Sequence, residues 1–448
     1  MIDLRGRKVL VVGLARTGLA TLKFLREKGS ILSASELRSK EEMREVLEEL
    51  QPWGIEIEWG GHSVEHFLRQ DLIVLSPGVD PGIEPVQKAL KKGIPVISEI
   101  ELAYYFLDAP ILGVTGTNGK TTTTLLIGEM LKEEGKRVGI GGNVGDPLIL
   151  FADGKERWEV LVVEISSFQL ERIERFRPRC AVLLNITEDH LDRYPDFNTY
   201  IQAKLKIFEN QTIEDWAILN RDDPVVMSSI HQIFGKKLFF TMSKAEEEGA
   251  FSNGEEIFLR LNHREERYSL KEAPLKGVHN VENMMAAILA ARLFGSSQRA
   301  IQKVIERFQG LEHRLEWVRE IGGVRFYNDS KGTNVGSVVK SLQSFSEPVI
   351  LIAGGKDKKT DLSPLRDLIQ RRVKRLILIG EAKERMAKEL GSLTETLMAE
   401  SLEKAVLLAY QTAKPGEVVL LSPACSSFDM FKDYRERGNV FKELVRRL

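Results

Sequence analysis

Short apolar runs alternate along this chain with stretches whose apolar residues recur at helical spacing. The runs at 8–12, 71–75, 94–97, 111–114, 160–163, 180–186 and 217–219 are rich in Val, Ile and Leu and bounded by polar residues, which predicts buried strands. Between them, Leu19, Leu22 and Leu25 precede a terminating Gly29, and Leu125, Leu126 and Met130 follow the run at 111–114, each pattern predicting a helix. A helix is also expected around 99–106, and the charged stretch 40–50 reads as a solvated helix face. Over 197–210, Ile201, Leu205 and Phe208 form one stripe with Tyr200 and Lys204 one position aside, so Lys204 is expected at the edge of a buried face. Residues 255–270 predict a polar hairpin, and 281–294 an Ala-rich helix headed by His279, Asn280 and Asn283. From residue 311 onward the rhythm repeats, with strands at 324–327, 349–353, 376–379 and 418–421, each followed by a polar or glycine-containing loop. This is an α/β pattern.

The stretch 111–124, ILGVTGTNGKTTTT, organises the rest. An apolar run gives way to small polar residues and then to a helical pattern. Gly116 and Gly119 let the loop through Thr117, Asn118 and Thr122 turn N–H groups toward an anion; Lys120 adds a point charge, and the Thr121 hydroxyl suits a metal ion. A nucleoside triphosphate site is expected. Val114 occupies the position of the first glycine of the strict phosphate-loop pattern, so a plain strand-to-helix connection stays open. In open α/β sheets ligands gather beyond the carboxyl ends of strands. Glu164 and the cluster 187–190 directly follow two of the runs, which puts two metal-competent side chains, Glu164 and His190, on the same edge as Lys120. Each also has a plainer reading, as a strand terminus and as a polar loop residue. Near the start, G-L-A-R-T-G at 13–18 opens a strand-turn-helix unit like a dinucleotide fold, with Ala15 where the second glycine would permit close pyrophosphate approach. A nicotinamide-dependent oxidoreductase is therefore one alternative, and a nucleotide-sensing module without turnover another.

A chain of 448 residues exceeds what one core usually supports, and its 43% hydrophobic residues suffice for several. Three domains are expected: 1–98, dinucleotide-fold-like; 99–310, a central domain like a phosphate-loop ATPase; and 311–448, again dinucleotide-fold-like. Lys plus Arg number 64 against 65 Asp plus Glu, a formal charge of -1, so no global attraction to nucleic acid or an anionic membrane is expected. Cys180 and Cys425 stand far apart without metal-ligand spacing, the first residues carry charges in place of an apolar leader, and no long uncharged apolar run occurs. A soluble cytoplasmic protein, functioning as a monomer on small molecules, is the expectation.

Several motifs occur in order across nearly the whole chain: GTNGKTT from 116, EISSFQL from 164, NITEDHLDRY from 185, AK at 203–204, HNVEN from 279, HR at 313–314, NDSKGTNVG from 328 and LSPACSSFD from 421. Together they resemble the Mur ligases, ATP-dependent amide-forming enzymes related to the folylpolyglutamate synthases. The resemblance implies that the first domain holds a UDP precursor, the second ATP and the third the incoming amino acid. It further implies addition of D-glutamate to UDP-N-acetylmuramoyl-L-alanine through an acyl phosphate, in peptidoglycan synthesis. On this resemblance, Thr121 and Glu164 belong to one magnesium site, and His190 and a carbamylated Lys204 to a second. Without it, Lys204 reads as a helix-edge lysine. The resemblance also assigns Asn283, Arg314 and Asp329 to the nucleotide, where the residues alone suggest a surface cation at 314 and a helix cap at Asn280. It assigns Arg16, Thr17, Arg38, Ser76 and Asn143 to the precursor, and Lys331, Thr333, Lys358, Ser427 and Tyr434 to D-glutamate. Tyr434 carries a hydroxyl beyond the plain aromatic ring expected there, and Ser427 is expected at a helix start.

Overall fold

The computed structural model describes residues 3–191, 193–243 and 248–448; Asp192, within the run that starts at Asn185, lies outside them. Three sheets carry the chain. In the first, β1 (Lys8–Val12), β2 (Ile31–Glu36), β3 (Glu56–Trp59), β4 (Leu72–Leu75) and β5 (Val96–Ser98) are all parallel, in the order β3-β2-β1-β4-β5. Leucines and valines of β1 and β4 are buried on both faces, each worth about 1.5–3 kcal/mol. The run at 13–18 turns at Gly13, whose φ is +85°, and starts the helix Arg16–Glu27.

The central sheet contains β6 (Ile111–Thr115), β7 (Val138–Gly142), β8 (Val160–Glu164), β9 (Cys180–Leu183), β10 (Trp216–Asn220), β11 (Lys236–Thr241) and β12 (Gly249–Ser252), all parallel. The expected hairpin, β13 (Glu256–Leu261) and β14 (Arg264–Ser269), extends it antiparallel. The order is β14-β13-β12-β11-β10-β9-β6-β8-β7, which sets the phosphate-loop strand β6 between β8 and β9. The helices Lys120–Glu133 and Val278–Leu293 pack together over this sheet, the second buried continuously from Asn280 to Ala291.

The third sheet contains β15 (Glu316–Ile321), β16 (Val324–Asn328), β17 (Val349–Gly354), β18 (Val373–Ile379), β19 (Glu395–Met398) and β20 (Val418–Leu421). Its order is β15-β16-β20-β17-β18-β19, with β15 the antiparallel member, so the last strand of the chain inserts between β16 and β17. No helix among the described residues is long and apolar enough to cross a membrane.

Three local expectations are corrected. Lys204 is not at an edge: on the helix Phe197–Leu205 it is 2% exposed, buried with Tyr200, Ala203 and Leu205, because that face packs on the phosphate loop, whose Gly116 carbonyl accepts its ammonium. Asn280 is not the cap of the helix Val278–Leu293. Gly277, with φ +98°, occupies that position, and the Asn280 amide donates back to the Lys276 carbonyl at 2.8 Å. Ser427 opens a single turn, its carbonyl accepting from the Met430 and Phe431 amides, while the following helix begins only at Tyr434, capped by Asp433.

Candidate active site

The phosphate loop leaves β6 at Thr115 and enters the helix Lys120–Glu133 at Gly119. Gly119 has φ +86°, and a Cβ there would lie 2.2 Å from Asn283 Oδ1, so the loop needs glycine both for its turn and for contact with the neighbouring helix. Lys120 Nζ donates to the carbonyls of Gly116 at 2.9 Å and Thr117 at 2.8 Å. Lys204 Nζ reaches the same Gly116 carbonyl at 2.8 Å and lies 4.6 Å from the Tyr200 ring centre. Two ammonium groups thus converge on one acceptor.

Burial lowers the pKa of Lys120, and Arg314 acts in the same direction against the pull of Glu164. Burial, followed by the nearby Lys120 charge, drives Lys204 well below the usual lysine range. Glu164, at the carboxyl end of β8, is 3% exposed. One of its oxygens accepts from Asn143 Nδ2 at 2.7 Å; the other, Oε2, is buried with no hydrogen-bond partner. An anionic oxygen so placed suits a hard cation, as does the Thr121 hydroxyl, which meets Arg314 Nη2 at 3.1 Å. His190 follows β9 in a left-handed conformation, φ +56°, with its ring edge-on to Phe168. Burial lowers its pKa, Asp189 opposes this, and the charges of Lys358, Lys120 and Lys204 add to the lowering, so the imidazole is held neutral and able to ligate.

A cavity of about 230 Å³ opens beside the loop. It is lined by Asn118, Gly119, Thr122, Asn283, Arg314, Asp329 and Lys331, all expected from the sequence, by His279 and Glu282 of the run at 279–283, and also by Asn220, Asp222, Asp223 and Lys340, which were not expected. Asn220 to Asp223 stand at the carboxyl end of β10, where the strand-end rule applies to them as it does to Glu164, and the D-P pair at 223–224 signals a helix start there; Asp223 caps that helix. Asn118, expected on the nucleotide, donates its backbone N–H to Asn185 Oδ1 at 2.8 Å, and its side chain accepts from Ser337 of the third domain at 2.7 Å. Asp329 is buried, which pushes its pKa up to about 6 against hydrogen bonds from Ser422 and Ser341.

The remaining residues lie on the rims of the other two sheets. Ser76 follows β4, its hydroxyl donating to the Gly13 carbonyl at 2.7 Å, and Arg38 follows β2, forked on Glu36. Thr17 sits in the first turn of the helix Arg16–Glu27. Arg16 spans to the central domain, pairing with Asp146 and donating to the Gly145 carbonyl at 2.7 Å, two residues from Asn143. On the third domain, Lys331 lies 4.0 Å from the Tyr434 ring centre, and burial, aided by Arg314 and Lys120, lowers its pKa to about 8. The Tyr434 hydroxyl accepts from Arg435 Nε at 3.3 Å. Lys358 pairs with Asp189 at 3.5 Å, next to His190. Thr333 is half-buried beside Lys331, and Ser427 is buried. Cys425, 3% exposed with its thiol pushed up to about 12 by burial, is a packing residue, and neither cysteine is paired.

Three family models match in series: a Mur ligase MurD-like N-terminal domain over residues 7–98, a Mur ligase middle domain over 114–291, and a Mur ligase glutamate ligase domain over 313–425. The chain is 52% identical over 448 residues to the UDP-N-acetylmuramoylalanine--D-glutamate ligase of Geotalea daltonii, covering 100% of this chain and 99% of that one. It is 50% identical over 447 residues to the same-named protein of Geotalea uraniireducens, covering 100% and 99%. Among solved structures, the MurF ligase of Thermotoga maritima in complex with ADP superposes with a TM-score of 0.62 at 16% identity, covering 100% of this chain and 97% of that one, a likeness of fold. With both relatives spanned end to end and all three domain models met in order, the chain belongs to the Mur ligase family.

Proposed function

We propose that the chain joins D-glutamate to UDP-N-acetylmuramoyl-L-alanine with cleavage of ATP to ADP and phosphate, a step in peptidoglycan precursor assembly. The identity and the names of its full-length relatives support the substrates. The observation that carries the chemistry is the convergence of Lys120, Lys204, Glu164 and His190 around one glycine-flanked loop, whose Asn118, Gly119 and Thr122 line the adjoining cavity. A carboxylate does not acylate an amine at neutral pH, because oxide would have to leave. Transfer of the γ-phosphoryl group to the alanyl carboxylate makes an acyl phosphate, and the D-glutamate amine then displaces phosphate. Lys120 and Arg314 would spread the charge that develops on the transferring group.

Thr121 and Glu164 would hold one magnesium ion and His190 with a carbamylated Lys204 a second; magnesium there would neutralise phosphate charge. The orphaned Glu164 oxygen and the depressed Lys204 pKa support this assignment, since carbamylation requires a neutral amine. Gly116 to Thr122 with Asn283, Arg314 and Asp329 would bind ATP. Residues 1–98, with Arg16, Thr17, Arg38 and Ser76, would hold the precursor together with Asn143 of 99–310. Residues 311–448 would present D-glutamate on Lys331, Thr333, Lys358, Ser427 and Tyr434. The balanced charge supports action on small molecules with no nucleic-acid or anionic-membrane partner, and the two unpaired cysteines support the cytoplasm, where the chain would act as a monomer. Phosphate release is the test: it should need ATP, UDP-N-acetylmuramoyl-L-alanine and D-glutamate together, and equal release with L-glutamate, L-alanine or a diamino acid would overturn the assignment.

A further inference from the structure

The helix Val335–Gln343 has two working faces. Val335, Val338 and Leu342 sink into the core of the third domain. Asn334, Ser337, Lys340 and Ser344 recur at helical spacing on the other side, and each meets a group of the central domain. Ser337 Oγ donates to Asn118 Oδ1 at 2.7 Å. The Asn334 amide donates to Asn118 Oδ1 at 3.3 Å and to Asp189 Oδ2 at 3.1 Å. Lys340 Nζ donates to both Glu282 oxygens, at 2.9 and 3.0 Å, and Ser344 Oγ lies 3.3 Å from His279 Nδ1. At Gly336 the helix comes so close that an added Cβ would stand 2.9 Å from Thr187 Oγ1.

Asn118 is the centre of this contact. Its backbone is clamped to Asn185 by two hydrogen bonds, at 2.8 and 3.1 Å, which leaves its side chain to the third domain. Asn334 follows Lys331 and Thr333 by one to three residues, and the carboxylate it holds, Asp189, also pairs with Lys358. Fixing Asn334 therefore fixes, through short rigid links, three of the groups assigned to D-glutamate relative to Lys120.

We propose that Asn118, Asn334 and Ser337 are positioning residues for the ligation: they seat the third domain on the phosphate loop, so that the bound amino acid meets the activated carboxylate. The kinetic consequence rests on the ligase reading; the seating itself rests on the contacts alone. The experiment pairs Asn118→Ala and Ser337→Ala, singly and together, in the full chain. Each single variant should lower kcat about three- to tenfold, the span of one lost hydrogen bond, with the KM for the precursor and the melting temperature unchanged. Because Asn118→Ala already removes the contact that Ser337→Ala removes, the double variant should be no slower than the slower single one; multiplied losses, or an unchanged kcat, overturn the proposal. Gly336→Ala leaves every hydrogen-bonding group in place and should act in the same direction by wedging the helix away from Thr187. Small-angle scattering with ADP and magnesium provides an arm independent of turnover. The variants should show a larger radius of gyration than the unsubstituted protein, and identical radii overturn the seating even if no ligation of D-glutamate is found.

Discussion

Lys204 is held where its own charge is disfavoured. A buried ammonium with one carbonyl partner and a second ammonium on the same oxygen is a poor arrangement for stability, and it persists where chemistry uses the neutral amine. Lys204→Met should therefore abolish turnover yet stabilise the ligand-free protein by about 1–3 kcal/mol, checked by denaturant unfolding. The sign follows from the lowered pKa: between the folded value and the ordinary 10.5 the unfolded chain holds a proton that the folded chain lacks, so wild-type stability rises with pH. The gap between the two proteins should narrow as pH approaches 10.5. Lys204→Ala should regain part of its turnover from short carboxylic acids, and full activity without them would remove the carbamate. Lys331 gives a second pH signature. Its ammonium, with pKa lowered to about 8 by burial and by Arg314 and Lys120, is charged below that pH and neutral above it. The KM for D-glutamate should rise above pH 8, and Lys331→Arg should shift the rise to higher pH. Among single residues the sequence was legible where a strand ends: the strand pattern set Lys120, Glu164 and His190 on one sheet edge, and the structure brings them near one another there. The burial of Lys204 was not legible, because a period count sees the apolar stripe and not the phosphate loop that packs beside it.

Strands whose side chains pack on themselves announced themselves; strands that serve as a floor for another side chain did not. In β7, V-G-I-G-G, three glycines erase the β-branched signal, and Phe151 explains two of them: an added Cβ would lie 2.8 Å from its ring at Gly139 and 2.5 Å at Gly141. The Cβ added at Gly141 would also stand 2.3 Å from the Asp146 carbonyl oxygen, a backbone atom that cannot swing away. Gly141→Ala should cost about 1–3 kcal/mol in a denaturant titration and weaken precursor binding, since β7 leads into Asn143. The edge strand β3, with glutamates alternating along it, was hidden for the opposite reason, as its charges, Glu56 in solvent and Glu58 bonded to Ser63 and His66, dilute the apolar pattern. The capping Gly277 was hidden because a glycine before a helix is a weak signal beside the asparagine that follows.

Across the whole molecule, three sheets carry the proposed contacts at their carboxyl edges, one class to each. Arg16 crosses from the first rim to the second, and Lys358 from the third to the second, so the central sheet is the shared frame. The motifs gave the order of the three units along the chain, while their mutual contacts are carried by half-buried polar residues such as Ser337 and Lys340 that look in sequence like any solvated helix face. The placement of β20 between β16 and β17 has a consequence for biosynthesis. The middle of the third sheet is supplied by a strand that leaves the ribosome after β15 to β19, so until then two hydrogen-bonding edges stand open, and a nascent chain carrying two finished units must shield an unfinished third from its neighbours.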